Sequence, residues 1–311
     1  MTISVAFFLG ILQGVAEFLP ISSSGHLAVV RHFFGISHPP LLFDMMLHVG
    51  SLTAMIWVYR KTLGRLLVEF FLLLGDLLHG RFRWSEMSSG RRLLLMLFLG
   101  TLPLFLLFLS IPGTDLQMRD LAEYLAADES VVLEGAALLF TSLILFSGIR
   151  INRKIRVSRI VTNREGQLVE SKGRRKIHGV DALLIGLMQW LSAMFPGISR
   201  SGSTLSVGLM RGLRRQTALD YSFVLGIPAI LAASLMSFQE TSAEEIAAVG
   251  VAPLVVGTLV SCLVGLFSIR LLRRVVVAGR LRIFAYYTLI AGGLVFIFGM
   301  IESITEVPLF R

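Results

Sequence analysis

The sequence predicts an all-α polytopic membrane protein: six transmembrane helices plus two re-entrant helix pairs, arranged as inverted-topology repeats. Three observations predict it. Hydrophobic residues fill 55% of the 311 positions and charged residues only 16%, with a mean hydropathy of +0.77, beyond the usual range of a water-soluble domain. Apolar runs long enough to cross a hydrocarbon core, about 20 residues each, recur along the chain. The connections between those runs alternate in charge.

Taken in order, the crossing runs fall at 41–59, 90–111, 131–149, 220–237, 250–272 and 281–302. Two further apolar stretches, 2–34 and 179–212, are broken by Pro, Gly and Ser clusters. Each reads as two half-helices that enter the membrane and turn back, because irregular backbone at that depth must be buried in protein or line a wet cavity. Residues 62–79 are apolar but carry Arg65, Glu69 and Asp76, which predicts an interfacial helix. The first residues lack a basic leader and a small-residue cleavage site, so no removable signal peptide is expected. Cys262, the single cysteine, excludes an intrachain disulfide and reads as a small buried hydrophobe.

Lys and Arg set the orientation. The 60–92 connection carries seven, 150–176 ten, 211–215 three and 270–282 five, which leaves four of the 29 elsewhere: Arg31, Arg119, Arg200 and Arg311. The alternate connections are acidic, with Asp115, Asp120, Glu123, Asp128 and Glu129 in one and Glu240, Glu244 and Glu245 in the other. Basic loops stay in the cytoplasm, so both termini are expected outside. The net charge of +9 then reflects topology, with anionic lipids and not nucleic acid as its partner.

The two broken stretches resemble each other. Gln13 stands seven residues before Pro20, and Gln189 seven before Pro196. With one residue inserted after Pro196, Ser22-Ser23-Ser24-Gly25-His26 lies over Ser199-Arg200-Ser201-Gly202-Ser203. Each copy is followed by a run opening near an acid, Asp44 or Asp220. The expected organisation is one membrane domain over 1–311. A first repeat spans 1–149 and a second 179–311, each a re-entrant pair plus three spans, with a basic cytoplasmic loop over 150–178. Three spans per repeat invert the second relative to the first, an arrangement in which broken helices meet near the midplane.

Gln13 and Glu17 share a helix face, and a carboxylate in an apolar segment is a functional candidate. A structural ion pair with Arg200 is the alternative. Gly10 and Gly14 permit close approach of a helix or ligand. Serines at a helix start cap free N–H groups, but three beside Gly25 and His26 exceed that need. Two helix N-termini, Arg200 and the hydroxyls of Ser22, Ser23, Ser24, Ser199, Ser201 and Ser203 describe a pocket for a highly charged phosphate group. Glu17 could hold a divalent cation against it. His26 and a serine of its turn fit proton transfer and attack at phosphorus. His48 either faces the pocket or packs, and His32, His38, His79 and His178 lie near surfaces. No zinc spacing and no phosphate-binding GxxxxGK[ST] loop is present.

At these residues the chain resembles the bacterial undecaprenyl-diphosphatase family, known for bacitracin resistance. The resemblance rests on Gln13-Gly-Val-Ala-Glu17 with Phe-Leu-Pro20-Ile-Ser-Ser-Ser-Gly25-His26, and on Pro196-Gly-Ile-Ser-Arg200-Ser-Gly-Ser-Thr204. Phe43-Asp44 through Leu52 and Asp220-Tyr-Ser-Phe223 also match, so it covers nearly the whole chain. It implies removal of the terminal phosphate of undecaprenyl diphosphate, with a divalent cation, Mg2+ or Ca2+. Glu17, Ser23, His26 and Arg200 take the catalytic positions. Gln13, Ser22, Ser24, Ser199, Ser201, Gly202, Ser203 and Thr204 take the diphosphate, and Glu17 with Gln13 the metal. Gln13 stands where many relatives have a first Glu, so one negative charge is missing. Ser23 as nucleophile with His26 as its base is the expected chemistry; attack by His26 itself, or by water activated by His26 or Glu17, stays open. The expected partner is a polyprenyl diphosphate lipid reached from the outer face of the bacterial inner membrane, and a homo-oligomer is compatible with the sequence. The other function class is a secondary transporter or flippase of a phosphorylated lipid, which the repeats alone would favour.

Overall fold

A computed structural model describes residues 1–35, 41–81, 83, 87–127, 131–158, 160–162, 168–170, 172–242, 247 and 249–305. His38, Asp128, Glu129, Glu244, Glu245 and Arg311 from the sequence reading lie outside them.

Six helices are long and apolar enough to cross a membrane: Leu41–Leu78, Ser89–Phe108, Val131–Val157, Arg215–Gln239, Val251–Ala278 and Arg282–Thr305. They match the six expected runs and make the chain a multi-pass membrane protein. The full order is α1 (Ile3–Ala16), α2 (Ser23–Phe34), α3 (Leu41–Leu78), α4 (Ser89–Thr101) with a 3₁₀ extension over Leu102–Phe108, α5 (Met118–Ala127) and α6 (Val131–Ser158). After a hairpin of β1 (Ile160–Thr162) and β2 (Leu168–Glu170) come α7 (Gly179–Met194), α8 (Arg200–Met210), α9 (Arg215–Glu240), α10 (Val251–Ala278) and α11 (Arg282–Thr305).

The expected interfacial helix over 62–79 is not a separate element. It continues α3, which runs 38 residues without a break, roughly 57 Å at 1.5 Å per residue. No proline interrupts it, and its charges find partners on the next helix: Arg91 lies 2.7 Å from Asp76 and 3.6 Å from Glu69. The span expected over 90–111 is α-helical only to Thr101. Pro103 has no N–H to give and clashes with the preceding turn, so the chain finishes as a 3₁₀ helix.

The two broken stretches are the short helix pairs α1/α2 and α7/α8, of 14, 12, 16 and 11 residues. None is long enough to span a bilayer alone. Elements from the front of the chain pack mainly on elements from the back: α1 and α3 on α10, α3 on α9, and α6 on α8 and α11. Gly10 and Gly14 make the first of these contacts possible. A Cβ on either would come within 2.8 or 2.7 Å of a carbonyl of α10, at Gly257 or Ser261. The close approach foreseen for these glycines is therefore to a helix.

On the side of the basic connections, Asp181 in the first turn of α7 lies outside the six spans and ties three segments together. It accepts from Arg174 at 2.8 and 2.9 Å, from Arg211 at 2.9 Å and from the His178 N–H at 2.9 Å. Burial alone would raise its pKa. The bonds from Arg174, His178 and Arg211 outweigh that and hold it at about 2. With the native pKa depressed below the ordinary aspartate range, the stabilisation is complete above about pH 4 and disappears as pH falls toward 2. Asp181→Asn is expected to cost roughly 2–3 kcal/mol, since the carboxylate is buried but its arginines are partly solvated. Melting temperature at neutral pH checks this, and the gap to wild type should shrink in acid.

Candidate active site

Both breaks are built alike. At the first, Ser22 caps α2 by accepting the Gly25 N–H at 3.2 Å; at the second, Ser199 caps α8 by accepting the Gly202 N–H at 3.1 Å. The turn into the second helix uses Gly197 at φ 81°, a residue the first copy lacks. There Ser22 takes the left-handed conformation itself, at φ 75°, the one described non-glycine residue to do so. Such backbone costs about 1–3 kcal/mol and concentrates at functional sites.

The breaks touch. The Gly197 N–H donates to Ser24 Oγ and Ser201 Oγ donates to the Leu19 carbonyl, both at 3.2 Å. A cavity of about 400 Å³ opens beside them, lined by Glu17, Ser22, Ser23, Ser24, Asp44, His48, Gln189, Ser199, Arg200 and Ser201, with apolar walls from Leu41, Leu104 and Ile230. The open N–H groups of both first helical turns border it.

Glu17 is the hub. Its Oε1 accepts from Arg200 Nη2 at 2.6 Å and its Oε2 from Ser23 Oγ at 2.8 Å. Gln13 Nε2 donates to the same Oε2 at 3.1 Å and lies 2.9 Å from His48 Nδ1, which is itself 3.4 Å from that oxygen, so Gln13 and His48 both flank the carboxylate. The ion pair between Glu17 and Arg200 thus forms, but it leaves Arg200 Nη1 buried and without a partner. That nitrogen lies against Gly226 with its donors unused, while Nη2 keeps Glu17 in place.

Arg200 can lie there because of Gly226 on α9. A Cβ on Gly226 would overlap Arg200 Nη1. Gly226→Ala is therefore expected to displace the guanidinium and lower turnover by about 100-fold, the scale of a 1 Å misplacement. The arginine is a long side chain that can swing clear, so melting temperature should change little. A near-normal rate would remove Gly226 from the site.

The sequence-predicted residues divide. Glu17, Ser22, Ser23, Ser24, Ser199, Arg200 and Ser201 line the cavity, and Gln13 lies beneath it, fully buried. Gly202, Ser203 and Thr204 do not line it. They sit within the first turns of α8: Gly202 is spent on the Ser199 cap, Ser203 N on the Ser199 carbonyl, and Thr204 Oγ1 on the Arg200 carbonyl and on Ser222. They support the start of the helix and do not reach the cavity.

His26 is also turned elsewhere. Its Nδ1 lies 2.8 Å from the Ser22 carbonyl, which can only accept, so Nδ1 carries the proton and Nε2 accepts from the Tyr287 hydroxyl at 2.7 Å. The two rings stack, and the imidazole borders a second apolar groove with Phe33, Tyr287 and Phe298. The expected hydrogen bond between Ser23 and His26 is absent; the group in reach of the Ser23 proton is Glu17.

Two lining residues, Gln189 and Asp44, and one glycine packed against Arg200 escaped the sequence reading. Gln189 served only to align the two copies, yet it faces the cavity, nearly fully buried, with both amide atoms unpaired. The repeat itself was the signal, since Gln13 was already a candidate. Asp44 borders the cavity in a pair with Arg31. Gly226 had no signal at all, being an ordinary glycine in an apolar run.

The comparisons with known proteins identify the family. The family model described as bacitracin resistance protein BacA matches residues 6–294. A protein of Desulfosudis oleivorans named undecaprenyl-diphosphatase is 38% identical over 297 residues, covering 94% of this chain and 97% of its own. Proteins of the same name from Alkaliphilus metalliredigens and Korarchaeum cryptofilum are 34% identical over 305 residues and 35% over 296. They cover 97% and 94% of this chain and 100% and 97% of their own. With a match of that extent, and with both motif stretches meeting at one cavity, the chain belongs to the bacitracin resistance protein BacA family.

Proposed function

We propose that the protein is a membrane phosphatase that hydrolyses undecaprenyl diphosphate to undecaprenyl phosphate and inorganic phosphate, recycling the lipid carrier for peptidoglycan synthesis and so conferring bacitracin resistance. One observation carries the chemistry. Ser23 Oγ donates to Glu17 Oε2 while the other carboxylate oxygen is fixed by an arginine with a free nitrogen. The two broken pairs are read as re-entrant halves of inverted repeats, with the cavity opening to the outer face and both termini outside. The loop charges support that orientation.

The terminal phosphoryl group lies between the two helix N-termini, against Arg200 Nη1. Ser23 Oγ attacks the terminal phosphorus and its proton passes to Glu17. The bond from that phosphorus to the bridging oxygen breaks, and the polyprenyl monophosphate leaves. Water then attacks the phosphoserine, its hydroxyl going to phosphorus and its proton to Ser23 Oγ, so that inorganic phosphate leaves, the Ser23 hydroxyl is restored and Glu17 gives its proton to solvent. Charge on the transferred group is met by Arg200 and the helix N–H groups, the main task in phosphoryl transfer. His26 acts as a positioning residue: it holds the strained Ser22 backbone, and through it the adjacent Ser23. The prenyl chain leaves along Leu104 and Ile230.

For a divalent cation the donor set is partial. Gln13 Oε1 is a buried acceptor without a partner, one helical turn from Glu17. Among the described residues no group of three His, Cys, Asp or Glu side chains surrounds them. Gln13 and Glu17 therefore fit Mg2+ or Ca2+ that takes its remaining ligands from diphosphate oxygens and water. Bound there, the cation would neutralise diphosphate charge.

The test is release of inorganic phosphate by the purified protein from a long-chain prenyl diphosphate with Mg2+ or Ca2+ present. Release that depends on Ser23 and Arg200 is expected. No release, with measurable lipid scrambling, would replace the hydrolase by a flippase.

A further inference from the structure

A second cavity, of about 820 Å³, opens on the side of the basic connections, between α3, α4, α9 and the segment before α7. Four cations line it: Arg92, Arg175, Lys176 and Arg273. One carboxylate, Asp220, faces them and is already engaged, by Arg273 at 2.6 Å and the Tyr59 hydroxyl at 2.8 Å. Neighbouring carboxylates are taken too: Asp181 by Arg174 and Arg211, and Asp76 and Glu69 by Arg91. Among the described residues, the side chains of Arg92, Arg175 and Lys176 have no ion pair. The cavity therefore holds an uncompensated positive charge, with the hydroxyls of Ser89 and Thr217 beside it and an apolar wall of Val58, Leu93 and Val224.

Topology alone accounts for Lys and Arg in the loops on this side. It does not account for three unpaired cations converging on one concave space beside an apolar wall. Nor is this an annex of the Glu17 site. The same two helices line both cavities, α3 at Asp44 and His48 and again at Tyr59 and Thr62, α9 at Ala229–Ser237 and again at Thr217–Val224. Ten residues along α3 separate His48 from Val58, the nearest lining residues of the two cavities on that helix, roughly 15 Å. In between, Phe18 packs edge-on against Phe223 at 5.8 Å and Phe223 against Tyr59 at 6.2 Å, all three buried. That stack closes one cavity from the other.

We propose that this cavity is a second anion site, one that takes a phosphate group as its dianion. Two guanidinium forks and an ammonium match a phosphate dianion, and the wall of Val58, Leu93 and Val224 suits an apolar chain attached to it. The phosphate can be that of a lipid headgroup or free phosphate. The site does not depend on the hydrolase reading.

The full-length protein is titrated by native mass spectrometry with dioleoyl phosphatidate, and in a parallel arm with inorganic phosphate as competitor. Arg200→Ala is used as background to silence the first site. We expect one saturable phosphatidate per chain in the Arg200→Ala protein. Adding Arg92→Gln, Arg175→Gln and Lys176→Gln should weaken it at least tenfold, while the same three changes in the wild-type chain leave melting temperature and phosphate release within twofold or a few degrees of normal. Displacement by millimolar inorganic phosphate assigns the site to free phosphate; failure to displace assigns it to the lipid headgroup. Unchanged phosphatidate binding in the triple variant, or no saturable binding of either probe, overturns the proposal. Should the triple variant unfold, Lys176→Glu alone, at an exposed position, must still weaken binding for the site to stand.

Discussion

Arg200→Ala is expected to lower kcat/KM by about two to three orders of magnitude. The guanidinium is the one cation from the second break that reaches the cavity, and removing a preorganised partner of developing charge typically costs 10²–10³. The same change also strips Glu17 of its charge partner in a buried setting, which destabilises by about 3–5 kcal/mol. Activity and stability are therefore both predicted to fall, and the two losses must be separated. The double variant Arg200→Ala/Glu17→Gln removes the orphaned charge, so its melting temperature should recover and assign the stability loss to Glu17, while the activity loss is read on Arg200→Ala alone, well below its own melting temperature. Arg200→Lys should restore little activity, because an ammonium cannot hold Glu17 and offer a second nitrogen in the fixed geometry that Nη1 and Nη2 provide. Near-normal turnover by folded Arg200→Ala would show that Arg200 serves only the fold.

Ser23→Ala is expected to reduce kcat by about 10³ or more with KM nearly unchanged. Ser23 makes one hydrogen bond, to Glu17, and Glu17 keeps its bonds to Arg200 and Gln13 when the hydroxyl is gone. The diphosphate contacts at the two helix N-termini remain, so ground-state binding survives while bond formation to phosphorus does not. Stability should shift by less than about 1 kcal/mol, since a partly exposed hydroxyl is being removed. A rate near wild type would transfer the nucleophile to water or to another residue of the turn.

The fold was legible because bilayer physics writes itself into composition. Six spans, the two broken stretches and the meeting of Ser22–Ser24 with Ser199–Ser201 could all be read from apolar run length, loop charge and the spacing from Gln to Pro. What was hidden depends on side-chain direction and on neighbours distant in sequence. Residues 62–79 carry charges that suggest an interface, but Arg91 on α4 neutralises two of them, so the helix simply continues. Ser203 and Thr204 look equivalent to Ser199 and Ser201 as letters, yet one further helical turn carries them away from the cavity. His26 sits three residues from Ser23, near enough to suggest a pair, and only Tyr287 on the last helix explains why its ring points elsewhere. Gly226 acquires meaning solely from the arginine that lies across it.

The central claim is that Ser23, activated by Glu17 and faced by Arg200 from the other break, carries the phosphoryl group. It is tested most directly by rapid quench of the purified protein with a prenyl diphosphate labelled in its terminal phosphate, followed by peptide mapping. The account predicts acid-stable label on Ser23 as phosphoserine, absent from Ser23→Ala. Acid-labile label on His26, or full turnover with no labelled protein at any quench time, would contradict it.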